Sequence, residues 1–370
     1  MSRTPDAEPG VEAGERGGGA GRQPLVSIVI PAYNAADTLP LCLEAVRRSD
    51  YPHTEAIVVC DACTDDSAQV AQNHGVRTIV NESRQGAAYA RNVGAVAARG
   101  EIFFFVDADC ILEPDAISIA VEALSAGEQV VFGSYIADTR APGFFSRFKN
   151  LQHHFTHQQG EDVQSSFWSG CGAITRRAFE DIEGFDVSLQ ACEDIEFGFA
   201  LTRHGYTVRL LKAMQAEHLK RYNLLKLLKS DLFGRAIPWT RLVAAGRSEL
   251  GKLNTRPGGK RSVALTGLSW LALAAAVANP APALAFAAAC WCGVFYLNRE
   301  LLGFIRRRNG WLFAAGSAFT LLAHFSVAGL GFILGHLAKR YPAERTPAPQ
   351  YAWAERPLRE PSAAIVAKSS

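Results

Sequence analysis

Glu101-Ile-Phe-Phe-Phe-Val-Asp-Ala-Asp-Cys110 is the stretch on which the reading of the fold turns. Ile102 to Val106 is an unbroken apolar run of strand-forming residues, as expected of a strand buried on both faces in a parallel sheet. It stops on Asp107 and Asp109, with only Ala108 between them. Ligands of open α/β sheets bind just beyond the carboxyl ends of the strands. Two carboxylates there suit a hard divalent cation carrying phosphate oxygens. An Asp-rich turn at a strand end is the plain alternative, and the neighbouring segments decide between the two.

Upstream, strands and helices alternate. Leu25 to Ile30 reads as a first strand stopped by Pro31, and Asp37 to Arg48 has helical spacing. Ala56 to Cys60 is a second strand ending on Asp61, and Thr64 caps a helix to Asn73. Val76 to Val80 is a third strand, followed by a helix of small residues from Gly86 to Ala98. This order predicts a doubly wound parallel α/β sheet. Separate strands then deliver Tyr33 and Asn34, Asp61, and Asp107 with Asp109 to one edge.

Downstream, Gln129 to Ile136 is a further strand. Residues 143–158 mix phenylalanines with Arg147, Lys149 and three histidines. They predict an amphipathic helix that lies on a membrane, flanks an acceptor groove, or packs its Phe face on the core. His153, His154 and His157 have no acidic or Cys partner at ligand spacing and are assigned to its polar face. Trp168, Gly170 and Gly172 suggest backbone brought close to a ligand. Glu193-Asp194 precedes a helix from Ile195 to His204, whose N-terminus favours an ionised Asp194.

The flanks differ in composition. Residues 1–24 hold almost no large apolar residue, and the tail 339–370 is rich in Pro and Ala; both predict disorder. The segment 221–261 is basic and amphipathic, as at a membrane surface. Three apolar runs follow within 262–338: Val263–Ala278, Pro282–Leu297 and Trp311–Ala338. Lys252, Arg256, Lys260 and Arg261 precede the first, and Arg299, Arg306, Arg307 and Arg308 precede the third. Basic flanks stay inside. The expectation is a multi-pass protein of the inner (plasma) membrane with residues 25–220 as a cytoplasmic domain. Three spans place the tail outside; Lys339 and Arg340 favour a re-entrant or interfacial third run instead. A net charge of +2 gives no case for nucleic acid. Cys60 and Cys63 lack a second pair at zinc-site distance.

The pattern resembles the family 2 glycosyltransferases, which are inverting enzymes of the GT-A fold. The matching stretches are Val26-Ser-Ile-Val-Ile-Pro-Ala-Tyr-Asn34, Val59-Cys-Asp-Ala-Cys-Thr-Asp-Asp66, Ala90-Arg-Asn-Val-Gly94, Asp107-Ala-Asp109, Gly170-Cys-Gly-Ala173, Gly184-Phe-Asp186 and Glu193-Asp194. The resemblance implies a nucleotide-sugar donor, most often a UDP-sugar, and the expected membrane segments point to a lipid-linked or cell-envelope glycan acceptor. It implies nucleotide contacts from Pro31, Tyr33, Asp61, Arg91 and Asp107. It implies Mg or Mn on Asp109, supported by Asp107, with His218 as a third metal-site residue. It places Trp168, Gly170 and Gly172 in the acceptor or sugar loop and makes Asp194 the base, with Glu193 beside it. Cys60 departs from the family's paired acids. Gly234-Arg-Ala-Ile-Pro-Trp239 does not match the motif of processive members, which favours addition of a single sugar. A haloacid-dehalogenase-type phosphatase would carry Asp-x-Asp on its first strand, whereas three strands precede it here. A silent membrane scaffold would not need Asp61, Asp107, Asp109 and Asp194 together.

Overall fold

The computed structural model describes residues 23–249 and 257–346. Residues 1–22, Lys252, Arg256 and the tail beyond Thr346 lie outside the described residues, and the expectations for them stay there.

The chain opens in the predicted order, except that α2 starts after Asp66 rather than at a Thr64 cap: β1 (Val26–Ala32), α1 (Leu39–Arg47), β2 (Thr54–Asp61), α2 (Ser67–Asn73), β3 (Arg77–Asn81), α3 (Ala87–Ala97) and β4 (Ile102–Val106). These strands are mutually parallel in the order β3-β2-β1-β4. β4 is buried at every position, as its unbroken apolar run requires. Pro31 does not end β1. The ladder to β4 reaches only Val29, so a proline two residues later costs no bond on that side. The small residues of α3 let it lie close on β1, where a side chain at Gly94 would strike Val29.

The second half is β5 (Cys110–Leu112), α4 (Ala116–Ser125), β6 (Val130–Tyr135), α5 (Phe144–Gln158), β7 (Val163–Gln164), β8 (Cys171–Thr175), α6 (Arg176–Asp181), α7 (Glu193–Arg203) and β9 (Val208–His218). Here the sheet becomes mixed. The order continues β4-β8-β6-β9-β5, with β8 antiparallel to both β4 and β6. β9 runs parallel to β6 but antiparallel to β5. A second apolar cluster, rich in phenylalanine, fills the face under α3 and α7 and includes Phe103, Phe105, Phe179, Phe185 and Phe197.

The histidines of α5 correct an expectation. His153 and His157 are buried, with Lys149 and Asn150, on the face toward β6. His157 Nδ1 lies 3.2 Å from the Gly133 carbonyl, and His154 Nδ1 lies 2.6 Å from that of Tyr135. The phenylalanines pack the other way, against the last long helix: Phe144 on Phe313 and Phe155 on Phe304. α5 is therefore a layer between the sheet and the C-terminal helices.

The basic segment forms α8 (Leu224–Asp231), a π-helical turn (Leu232–Ala236) and α9 (Ile237–Ala244). Then come α10 (Pro257–Ala275), α11 (Pro280–Leu297) and α12 (Arg299–Leu337), the last kinked at Gly310. Among the described residues, two helices rather than three are long and apolar enough to cross a membrane: α11 and α12. Hydrogen bonds from Trp270 to Ser326 and from Trp291 to Ser269 tie the three together. The second half of α12 runs along α8, the π-turn and α9; side chains at Gly331 and Gly335 would strike Ala236 and Thr240. Residues 339–346 are not a loose tail. They fold back onto the α/β domain through Arg345 and backbone carbonyls.

Candidate active site

The site grows from the carboxyl edge of the sheet. β1 is flanked by β2 on one side and β4 on the other, so the chain direction of the connections reverses there and a crevice opens beyond the strand ends. Asp107 and Asp109 leave β4 into it. The register of β5 on β9 sets Cys110 opposite His218, which brings the imidazole beside Asp109. His218 Nε2 lies 3.3 Å from Asp109 Oδ2. Burial alone would raise the Asp109 carboxyl, but the His218 charge and hydrogen bond and the Lys220 charge override it, bringing it down to about 2. Ligating atoms of Asp109, Cys110 and His218 all lie within 4.8 Å of one another. Burial, with Asp109 and Asp107 nearby, pushes the Cys110 thiol up, so it is a poor ligand for a hard cation. A carboxylate and an imidazole that leave room for phosphate oxygens suit Mg or Mn.

Arg91, buried on α3, joins two parts of the crevice. It donates to Asp107 Oδ1 at 2.7 Å and to Glu193 Oε1 at 2.8 Å. The first turn of α7 is thereby tied to the end of β4. With Glu193 held by Arg91, Asp194 is the acid of that turn left without a cationic partner among the described residues. Burial and the adjacent Glu193 carboxylate push the Asp194 carboxyl up to about 7, although Arg91 opposes the shift. The expected influence of the helix N-terminus, an ionised Asp194 of low pKa, is outweighed.

Asp61 ends β2 buried, and its carboxylate accepts from the amides of Gln85 and Gly86, the latter at 2.7 Å, and from the Asn81 side chain. It holds the loop that leads into α3. Tyr33 is 44 % exposed and carries the Arg84 guanidinium 3.9 Å above its ring. Pro31 lies two residues before it at the end of β1. Trp168 stacks on Tyr135 at 3.9 Å, and side chains at Gly170 and Gly172 would strike Trp168 and Phe167. Those glycines make room for aromatic rings of their own loop. Arg84, Tyr135 and Lys220 escape the sequence reading. Only Arg84 carries a signal, as a basic residue just before the small-residue helix. A cavity of about 390 Å³ adjoins the site, lined by residues 137–143 with Arg147, Leu151 and Asn309. Its wall meets β9, where Thr139 Oγ1 donates to the His218 carbonyl.

Residues 27–182 match the model of Glycosyl transferase family 2. Glycosyltransferase GlyG of Streptococcus pneumoniae is 32 % identical over 127 residues, covering 33 % of this chain and 42 % of that relative. An uncharacterised glycosyltransferase of Haemophilus influenzae is 31 % identical over 180 residues, covering 47 % and 60 %. The chain thus spans about half the length of these relatives. Among solved structures, the mannosyltransferase PcManGT from Pyrobaculum calidifontis, in complex with GDP-Man and Mn2+, superposes with a TM-score of 0.53 at 20 % identity, covering 84 % of this chain and 88 % of that one. That likeness shows a shared fold. Together with the strand-end acids and the ordered motifs between β1 and α6, these matches make residues 27–182 a family 2 glycosyltransferase domain.

Proposed function

We propose that the protein transfers one sugar, with inversion, from a nucleotide-sugar donor to a lipid-linked or cell-envelope glycan acceptor at a membrane surface. The observation that carries this reading is the meeting, at one sheet edge, of the Asp109–His218 pair, the Arg91-bridged carboxylates and Asp194. Asp109 and His218 would hold Mg or Mn, with Asp107 in support. Such a cation supplies charge stabilisation for the departing nucleoside diphosphate.

The remaining work belongs to the side chains. Tyr33, with Arg84 over its ring, offers a flat cationic face to a nucleobase or phosphate. Pro31 lines the same edge, and Asp61 shapes it by holding the loop at Gln85 and Gly86. Arg91 fixes Asp107 and Glu193, which leaves Asp194 to accept the proton of the acceptor hydroxyl as that oxygen attacks the anomeric carbon. Attack opposite the leaving group inverts the centre without a covalent intermediate. The acceptor approaches past Trp168 and the cavity beside His218, whose wall includes Asn309 of α12. α11 and α12, with the basic segment before them, favour a membrane anchor with the domain on the cytoplasmic face.

The test is to incubate the detergent-solubilised full chain with Mn and a panel of UDP- and GDP-sugars. The panel includes GDP-mannose, which the structural neighbour holds. Slow release of nucleoside diphosphate, lost on chelation, is expected for the cognate donor. A panel in which no donor raises the melting temperature and none is turned over would sink the proposal.

A further inference from the structure

After α12 the chain returns to the catalytic domain and closes on one place. The Lys339 carbonyl accepts from Arg241 Nε at 2.8 Å, and the Arg241 guanidinium lies 3.8 Å over the Tyr341 ring. Tyr341 packs against the cluster of Leu189, Cys192 and Leu242. The Pro342 and Glu344 carbonyls accept from Arg247 Nη1, each at 3.4 Å, and the Thr346 carbonyl accepts from the Val187 amide at 3.2 Å. Arg345 grips hardest. Its Nε lies 3.1 Å from Glu196 Oε1, Nη2 donates to the Gly184 carbonyl at 2.6 Å, and Nη1 donates to that of Ile182.

All of these partners lie on the loop before α7, on its first turn, or on the stretch at 241–247 that backs them. Glu196 is fully buried, in the same helical turn as Glu193 and Asp194. Its charge is met by Arg247, itself fully buried and bonded to Asp186, by Arg345 from the far end of the chain, and at a longer 3.8 Å by Arg203 of its own helix. A buried carboxylate robbed of such a partner forces the local structure to open toward water. The turn also starts from Cys192 in a left-handed conformation (φ 59°), so it does not define its own direction by regular capping.

We propose that residues 339–346 form a strap that holds α7 in register, with Arg345 and Arg247 as positioning residues for Asp194. This rests on the reading of Asp194 as the base. The strap acts on where the proton acceptor stands, because a catalytic group displaced by about 1 Å can lose up to a hundredfold in rate.

In the full chain, Arg345→Ala is expected to lower kcat by about tenfold or more, with the donor KM unchanged within about twofold because Asp109 and the β1–β2 edge stay in place. Arg345→Lys keeps the charge opposite Glu196 and recovers part of the loss. Glu344→Gln, where the contact runs through the backbone, leaves kcat unchanged. Hydrogen exchange at the amides of 193–197 should quicken in Arg345→Ala and in a chain ending at Ala338. Should Arg345→Ala fail to fold, Tyr341→Ala, which removes the stack on Arg241, takes its place in both measurements. Unchanged kcat with unchanged exchange overturns the strap. So does a loss of kcat matched by a rise in donor KM, the mark of general destabilisation. If the intact protein transfers no sugar, the functional reading falls and exchange alone decides: equal protection with and without the strap overturns it.

Discussion

At the scale of single residues, the first turn of α7 separates two neighbouring acids that look equivalent in the sequence. Glu193 is bound by Arg91 and Asp194 is not, so the two substitutions have different outcomes. Asp194→Asn should lose transfer by about a hundredfold or more, the usual scale for removing a general base, and should keep donor affinity. Glu193→Gln should be milder, acting through the loosened Arg91. Native turnover in Asp194→Asn with a dead Glu193→Gln would move the role to Glu193. The pH profile follows from the sign of the shift. Asp194 must be deprotonated to act, and its carboxyl is raised to about 7. The rate should therefore climb with pH through about 7 and level off above it, and a rate flat from pH 5.5 to 8 would contradict the assignment. Asp109→Asn should abolish metal-dependent donor binding and leave the melting temperature without metal near native.

At the scale of elements, the site depends on how α3 meets the sheet and α7. Arg91 on α3 satisfies two carboxylates from two other elements while only 4 % of its side chain is exposed. Arg91→Ala leaves both acids without their cation and should destabilise the domain by about 3 kcal/mol, read from the denaturation midpoint; a loss under about 1 kcal/mol would show that water replaces the guanidinium. Gly94 is the point of closest approach of α3 to β1. Gly94→Leu should push the helix away at a cost of about 1–3 kcal/mol and lower donor affinity, because α3 carries the Gln85–Gly86 loop with it. These contacts also explain what was legible. β1 to β4 announce themselves as apolar runs that end on polar residues. β5, β7 and β9 do not, since they are short or, in β9, mix Arg209, Lys212 and Gln215 into the strand. The histidines of α5 look like a solvent face by composition, yet carbonyls of β6 and the Arg235 side chain satisfy them once that face is covered.

At the scale of the molecule, the strap bears on topology. Residues 339–346 bind the domain that also precedes α10, so the proposed membrane anchor requires an even number of crossings between them. Of the two helices long and apolar enough to cross, α12 packs its second half along α8 and α9. We propose that this half lies on the bilayer surface, while the less apolar α10 pairs with α11 as a hairpin going in and returning, its basic flanks on one side. A cytoplasm-specific reporter should be active at Met1 and at Ser370 and silent at Asn279. A silent fusion at Ser370 with an active one at Met1 would mean that the chain crosses an odd number of times.

Local pattern by itself determined the parallel half of the sheet, the acids at its edge, the order of the family motifs and the apolar C-terminal run. Each is carried by residues close together in the chain, through strand burial, turn chemistry or length. Tertiary structure alone decided the antiparallel half, the approach of His218 to Asp109, the pairing of Glu193 rather than Asp194 with Arg91, and the return of the tail to α7. The physical reason is range. Arg91 meets Glu193 across 102 residues and Arg345 meets Glu196 across 149. An ion pair closed over such a span leaves no periodicity to read, and it forms only when separately folded elements bring the charges together.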